Sequence, residues 1–439
     1  MATIFALSSG AGRAGVAVIR VSGTCAWAAV EALAPPIPAP RIAVLRTLYH
    51  PDTREPLDRA LVLVFRGPHS ATGEDMAEFH VHGGRAVVQA VLSALGCVAG
   101  CRPAEAGEFT RRAFENGKMD LTAVEGLADL IDAETEAQHR QALRQSSGAL
   151  GHLYDGWRMD LIGALALVEA AIDFADEGDV GERAYSGARP LVERLYTSVS
   201  AHLADSNRGE IVREGFQVVL AGPPNVGKSS LLNALTRRDV AIVSEEAGTT
   251  RDVIEVRLDL GGFAVVLSDT AGLREAQGAI EREGIRRTLE RARQADLMIW
   301  LMDAEAPSAD LPAEAPERVL WVANKVDRHR PDFAALPEGT LALSAKTGEG
   351  LTTLTERLTA LVGESATASG DLVPTQARHR LHLIDTLTHL NAFLTSEQHD
   401  FELRAEDLRL AAQSLGRLTG RVDPEDVLDR IFSRFCVGK

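Results

Sequence analysis

The string Gly222-Pro223-Pro224-Asn225-Val226-Gly227-Lys228-Ser229 has the glycine and lysine spacing of a phosphate-binding loop. An apolar run, Val218 to Ala221, precedes it, and the helical run Ser230 to Leu235 follows. In that context the glycines let backbone N–H groups curl around phosphates, and the helix N-terminus favours an anion. Lys228 can reach the β and γ phosphates, and the Ser229 hydroxyl can ligate Mg2+. Four more strings follow in a fixed order. Gly248-Thr249-Thr250-Arg251-Asp252 offers Thr250 to Mg2+ and the γ-phosphate. Asp269-Thr270-Ala271-Gly272 ends a strand, with Asp269 near Mg2+ and the Gly272 N–H near the γ-phosphate. Asn324-Lys325-Val326-Asp327 places a carboxylate where guanine N1–H and N2–H can both donate to it, and Ser344-Ala345-Lys346 offers the Ala345 N–H to guanine O6. Against adenine that carboxylate would lose both hydrogen bonds, so the spacing predicts GTP binding and hydrolysis. The predicted contacts from these strings are Asn225 to Ser230, Gly248 to Thr250, Asp269 to Gly272, Asn324, Lys325, Asp327 and Ser344 to Lys346.

Hydrolysis needs a positioned water, and Leu273 stands where a glutamine commonly follows such an Asp-Thr-Ala-Gly string. Glu281 and Glu283 are candidates, with an exposed acidic helix face as the alternative. Asn225 is open in the same way: its oxygen can bind a monovalent cation beside the phosphates, or it can stabilise the loop as an Asx residue.

These loops need a scaffold. At 439 residues the chain is too long for one core, and 45% hydrophobic with 25% charged residues is a globular composition. The net charge of −16 opposes broad contact with a nucleic-acid backbone, so any RNA contact must be local or come through a partner. Four scattered cysteines, with no basic leader and no long apolar span, predict a reducing, cytoplasmic setting and no membrane. The most apolar segment, Leu161 to Val168, reads as a buried helix.

Short β-branched runs at Gly15 to Val21, Leu61 to Phe65 and Glu78 to Val81, with a helical pattern over Ala86 to Leu95, predict a small α+β domain to about Lys118. Helical spacing then runs from Leu121 to about Ser206. Strand and helix alternate after Gly215, which predicts a mostly parallel sheet covered on both faces. Helical periodicity returns beyond Pro374, with Leu383, Leu387, Leu390 and Leu394 on one face. The simplest architecture is a helical domain interrupted by an α/β insert.

Outside the insert, Ala106 to Leu121 (AGEFTRRAFENGKMDL), Val168 to Phe174 and Ile431 to Lys439 resemble the MnmE (TrmE) family of tRNA modification GTPases, of the TrmE-Era-EngA-YihA-Septin-like class, and the resemblance spans essentially the whole chain. It implies four segments: an N-terminal folate-binding and dimerisation domain (1–118), a discontinuous helical domain (119–212 and 367–439), and a Ras-like P-loop GTPase domain (213–366). It also implies a homodimer whose potassium-stimulated hydrolysis acts with the flavoprotein MnmG (GidA), as a heterotetramer or larger complex. Together they would place a carboxymethylaminomethyl or aminomethyl group on carbon 5 of the tRNA wobble uridine. A tetrahydrofolate, 5-formyl or 5,10-methylene, would supply the carbon.

By the same resemblance Arg20, Glu78, Lys118 and Lys439 are folate-binding positions, with the carboxylate on the pterin edge and the cations on the glutamate tail. Asn225, Ser244, Glu246 and Thr249 fall on K+ positions, the loop Ser244, Glu245, Glu246 and Ala247 also contacts GTP, and Glu281 falls on the residue orienting the attacking water. Arg251 orders the switch. Ala106 and Ala175 replace the usual prolines, and Ser244 a frequent threonine. Cys436 is read as a small buried residue rather than a nucleophile, Cys97 and Cys101 lack a second ligand pair for zinc, and His82 belongs to the folate loop. A ribosome-assembly or signalling GTPase is the rival class, but its usual basic KH appendage has no counterpart here.

Overall fold

The computed structural model describes residues 2–10, 12–173, 179–237, 241–242, 255–269, 293, 295–311, 315–366, 372–395, 401–422, 425–433 and 435–439. They divide into two compact units: Met1–Ala128 with Gln145–Val192 and His389–Lys439, and Asp129–Arg144 with Glu193–Thr388.

The first unit begins with β1 (Thr3–Leu7), β2 (Ala14–Ser22), α1 (Ala26–Leu33), β3 (Val44–Tyr49), β4 (Pro56–Phe65), β5 (Met76–Gly83), α2 (Arg85–Gly96), β6 (Cys101–Pro103) and α3 (Glu108–Glu115). Its six-stranded sheet has the order β3-β4-β5-β2-β1-β6 and is antiparallel except between β1 and β6. Alternation sets its faces: Ala60, Val62 and Val64 of β4 and Phe79 and Val81 of β5 pack with Ile19 and Val21 against α1 and α2. The opposite face carries Arg20 and Glu78, which are direct cross-strand partners.

Helices follow: α4 (Leu121–Ile131), α5 (Glu136–Ser146), α6 (Ala149–Asp173), α7 (Asp179–Ala204) and α8 (Ser206–Glu214). Asp120 caps α4, accepting from the N–H groups of Thr122 and Ala123 at 2.8 and 3.0 Å. Leu161, Ala164 and Val168 continue the buried face of α6 that carries Tyr154 and Trp157, while the other residues from 161 to 168 are partly or fully exposed, so the apolar run is one-sided.

In the second unit, β7 (Phe216–Ala221), α9 (Lys228–Thr236), β8 (Ala241–Ile242), β9 (Glu255–Leu260), β10 (Phe263–Asp269), β11 (Leu297–Asp303), β12 (Val319–Asn324), β13 (Leu341–Ala342) and α10 (Leu351–Ala366) form the α/β fold. The seven-stranded sheet runs β13-β12-β11-β7-β10-β9-β8, parallel from β13 to β10, with an antiparallel edge at β9 and β8. Val218 and Leu220 face a core with Leu231, Leu235, Leu354 and Leu358, while Val219 and Ala221 face another with Met298 and Trp300. Both sides of β7 are therefore apolar, as a central parallel strand requires. The chain leaves β7 for one side of the sheet and later returns to fill the other, so the loop after β7 lies at the switch point where open α/β sheets bind ligands.

Three more helices, α11 (Ala377–Thr395), α12 (Phe401–Thr419) and α13 (Glu425–Phe432), complete the chain. The buried stripe of α11 is His379, Leu383, Thr386, Leu390 and Phe393, with Leu387 and Leu394 half-buried at its margin. The face is rotated from the all-leucine stripe because polar His379 and Thr386 are fully buried. In the first unit α12 packs along α6, and Leu428, Ile431 and Phe432 of α13 pack with Leu121 and Val124.

Arg112 ties the first unit together. Its guanidinium is almost fully buried and donates to Glu74 at 2.9 Å, Glu108 at 3.0 Å, Ala2 O at 2.8 Å and Ser22 O at 3.4 Å. Arg112→Ala leaves two carboxylates without their common cation, and a loss of about 3–5 kcal/mol is expected by urea denaturation.

Candidate functional site

Gly222 sits at φ 145°, and a Cβ there would lie 3.0 Å from the Leu301 carbonyl carbon of neighbouring β11. Only glycine fits. Asn225 at φ 61° and Gly227 at φ 99° complete the curl, and Gly227 caps α9. Val226 is buried in the sheet core, which pins the loop from below. The Lys228 ammonium is largely buried and donates to the carbonyls of Gly222 and Pro223, both at 2.9 Å. Ser229 and Ser230 follow, exposed, in the first turn of α9. A glycine cradle at the N-terminus of a nine-residue helix beside a lysine fits a polyphosphate. Asn225 has a backbone reason for its identity, since asparagine tolerates the left-handed region.

The strings after β12 and β13 meet this loop. The Asn324 side-chain amide is buried, donates to Val226 O at 2.7 Å and accepts from the Ala345 N–H at 3.0 Å. That N–H, expected to face guanine O6, is thus already engaged. The Lys325 ammonium donates to Asn225 O and to the Asp303 carboxylate, both at 2.7 Å. Burial pushes the Asp303 carboxyl up, but the Lys325 hydrogen bond, the Glu305 N–H and the charges of Lys325 and Arg328 together outweigh it, and the net position is below the usual range. Exposed Asp327 accepts from the Ser344 hydroxyl at 2.7 Å, the main reason its carboxyl is also lowered. Lys346 adds a favourable charge. Asp303, which ends β11, was missed by sequence reasoning; its signal was a carboxylate at the carboxyl end of a parallel strand.

Several predicted residues lie outside the described residues: Ser244, Glu245, Glu246, Ala247, Gly248, Thr249, Thr250, Arg251, Thr270, Ala271, Gly272, Glu281 and Glu283. Asp269 is the last residue of β10, on the strand next to β7.

Arg20 donates to Glu78 Oε1 at 3.1 and 3.2 Å, and His80 meets Glu78 Oε2 at 3.1 Å. Both carboxylate oxygens expected for a pterin edge are therefore held by neighbouring side chains. Phe109 of α3 lies 5.8 Å from the Arg20 guanidinium. Lys118 follows the α3 terminus, where Asn116 donates to Thr72 O at 2.7 Å and the Thr72 hydroxyl meets Ser22 at 2.7 Å. Lys439 follows Gly438, whose carbonyl accepts from Ser8 at 2.7 Å. Among the described residues, neither lysine bonds directly to Arg20 or Glu78. His82, expected in a folate loop, instead pairs with Asp58 at 2.7 Å.

Cys436 is exposed, not buried as expected. His50, Asp52 and Cys97 bring ligand atoms within 4.8 Å of one another. However, His50 Nδ1 accepts from the N–H groups of Asp52 and Thr53 at 3.3 and 3.4 Å. A metal on Nε2 would require a proton on Nδ1, facing those donors, so the trio does not make a metal site. Burial, with Cys25 adding to it, pushes the Cys101 thiol up to about 11. Iodoacetamide at about pH 8 should therefore alkylate exposed Cys97 and Cys436 and spare Cys101, as read by peptide mass spectrometry.

Among the described residues no helix is long and apolar enough to cross a membrane. The family described as GTP-binding protein TrmE N-terminus matches residues 3–118, and the MnmE helical domain family matches residues 121–436. The chain is 55% identical to the tRNA modification GTPase MnmE of Parvibaculum lavamentivorans over 445 residues, covering 100% of each chain. It is 52% identical to the human mitochondrial 5-taurinomethyluridine-[tRNA] synthase subunit GTPB3, covering 100% of this chain and 93% of that one. Among solved structures, the G domain of the T. maritima FeoB iron transporter is 28% identical over 34% of this chain and 98% of that one, at a TM-score of 0.25. With the phosphate loop, the guanine-type strings and both flanking regions matched along its length, the chain belongs to the MnmE (TrmE) family of tRNA modification GTPases.

Proposed function

We propose that this GTPase drives modification of the wobble uridine at position 34 of certain tRNAs, forming 5-carboxymethylaminomethyl or aminomethyl uridine. The observation that carries the nucleotide half is Asn324, whose one side chain joins the phosphate loop to the Ser344-Ala345-Lys346 loop. Such a bridge fixes the span between phosphates and base before a ligand arrives. Lys228 then holds the β and γ phosphates and Asp327 reads the guanine edge. Ser229 and Thr250 hold Mg2+, and Asn225, Ser244, Glu246 and Thr249 hold K+. Bound there, a monovalent cation supplies positive charge beside the γ-phosphate. Glu281 orients the water.

The tRNA half rests on family membership and on the names of the relatives. The chain acts as a homodimer with the flavoprotein MnmG, and tRNA is bound with that partner in the cytoplasm. Segment 1–118 binds the tetrahydrofolate and dimerises, 119–212 with 367–439 forms the helical domain, and 213–366 is the GTPase domain. The Arg20–Glu78 pair supports a folate site there, because a side-chain exposure of 25% and 14% leaves both groups reachable yet partly desolvated. With Glu78 held by Arg20 and His80, the pterin edge has to share that carboxylate, while Lys118 and Lys439 supply charge for the glutamate tail.

Two measurements test the proposal. GTP turnover should rise at least about tenfold when Na+ is replaced by K+, and Glu281→Ala should abolish the gain. Equal rates in both salts would remove the cation from the mechanism. Deletion of the gene should leave wobble uridines unmodified in a mass-spectrometric nucleoside profile, whereas an unchanged profile would favour a switch without modification chemistry.

A further inference from the structure

The hairpin β9–β10 connects two nucleotide-sensing strings in the sequence. β9 starts just after Gly248-Thr249-Thr250-Arg251-Asp252, and β10 ends on the aspartate of Asp269-Thr270-Ala271-Gly272. Its turn is Gly261-Gly262, at φ 65° and 86°, the two positive angles a tight two-residue hairpin needs. Asp259 braces the turn by accepting the Gly262 N–H at 2.8 Å. β10 also pairs with β7, so the hairpin is tied to the strand that leads into the phosphate loop.

The hairpin is bonded to the start of α5 both at its tip and from the middle of β9. The Gly262 carbonyl accepts from the Ala137 N–H at 3.0 Å, and Arg257 donates to Glu134 at 3.1 Å. The start of α5 is itself built as a capping box over Thr135-Glu136-Ala137-Gln138. Gln138 Oε1 accepts from the Thr135 N–H at 3.1 Å, and Thr135 Oγ1 from the Gln138 N–H at 3.4 Å. Both residues are buried, and Gln138 also donates to Arg213 O at 3.0 Å beyond the hairpin. Arg213 in turn pairs with Asp129 at 2.9 Å. Residues 129–138 thus grip both the hairpin and the end of α8.

We infer that Glu134, Gln138 and Arg257 are positioning residues for GTP hydrolysis, holding the β9–β10 hairpin, whose strands border both sensing strings in the sequence and whose β10 pairs with β7, the strand that leads into the phosphate loop. None of the three touches the nucleotide loops described above, so the role is indirect. The inference rests on the GTPase reading and adds a joint between the hairpin and α5.

Glu134 and Arg257 are partly exposed, at 27% and 44%, so charge reversal can be made without emptying a core. In the full-length protein, Glu134→Arg and Arg257→Glu should each lower kcat about tenfold, with KM for GTP and affinity for GDP kept within about twofold. The double reversal should regain most of the wild-type kcat. Single variants with wild-type kcat, or a double variant as slow as the singles, would overturn the joint. Failure of the wild-type chain to bind GDP would instead overturn the nucleotide reading on which it rests.

Discussion

One carboxamide coordinates the nucleotide site. Asn324 donates to the phosphate loop in a fully buried bond and accepts from the loop after β13 in a partly buried one. A buried amide with satisfied partners is directional, and losing one partner costs the desolvation of the other. Gly227 enforces the close approach, because a Cβ there would run into the Asn324 side chain. Lys325 repeats the arrangement one residue later, gripping Asn225 O and Asp303. Two consecutive residues at the end of β12 therefore hold the loop that follows β7, two strands away in the sheet.

The polar sheet face of the first unit has a different logic. One sheet face is apolar and covered by helices, while the other gathers Arg20, Glu78 and His80 in adjacent strands. Behind them the Arg112 guanidinium links the N-terminal residues, the end of β2, Glu74 and α3. Asn116, Thr72 and Ser22 extend that network to the turn that carries Lys118. Polar groups so arranged trade general adhesion for fixed geometry.

Much of this was legible in the residues. The central strands β7, β11 and β12 declared themselves as continuous apolar runs, and the phosphate loop by glycine and lysine spacing. The strands β1, β3 and β6 did not, since β6 has three residues and β3 is a partly exposed edge strand without a clean alternation. Stripe leucines in α11 were displaced by buried His379 and Thr386, because burial of polar side chains follows tertiary partners that periodicity cannot supply. Apart from Glu108, one helical turn away, the partners of Arg112 lie 38 to 110 residues away along the chain, beyond the reach of local pattern. The Asp303–Lys325 pair was hidden for the same reason, although each residue ends a recognisable strand.

The pairing of α6 with α12 also bears on how the chain is made. The two helices are separated by the whole α/β insert, roughly 230 residues, which a ribosome adds in tens of seconds. During that interval the insert, whose sheet is complete without any strand from the first unit, can fold while Leu161, Ala164 and Val168 still lack the later helix α12. The nucleotide pocket can thus form while the chain is still being made, whereas the α6–α12 layer closes only once α12, in the last quarter of the chain, has been added.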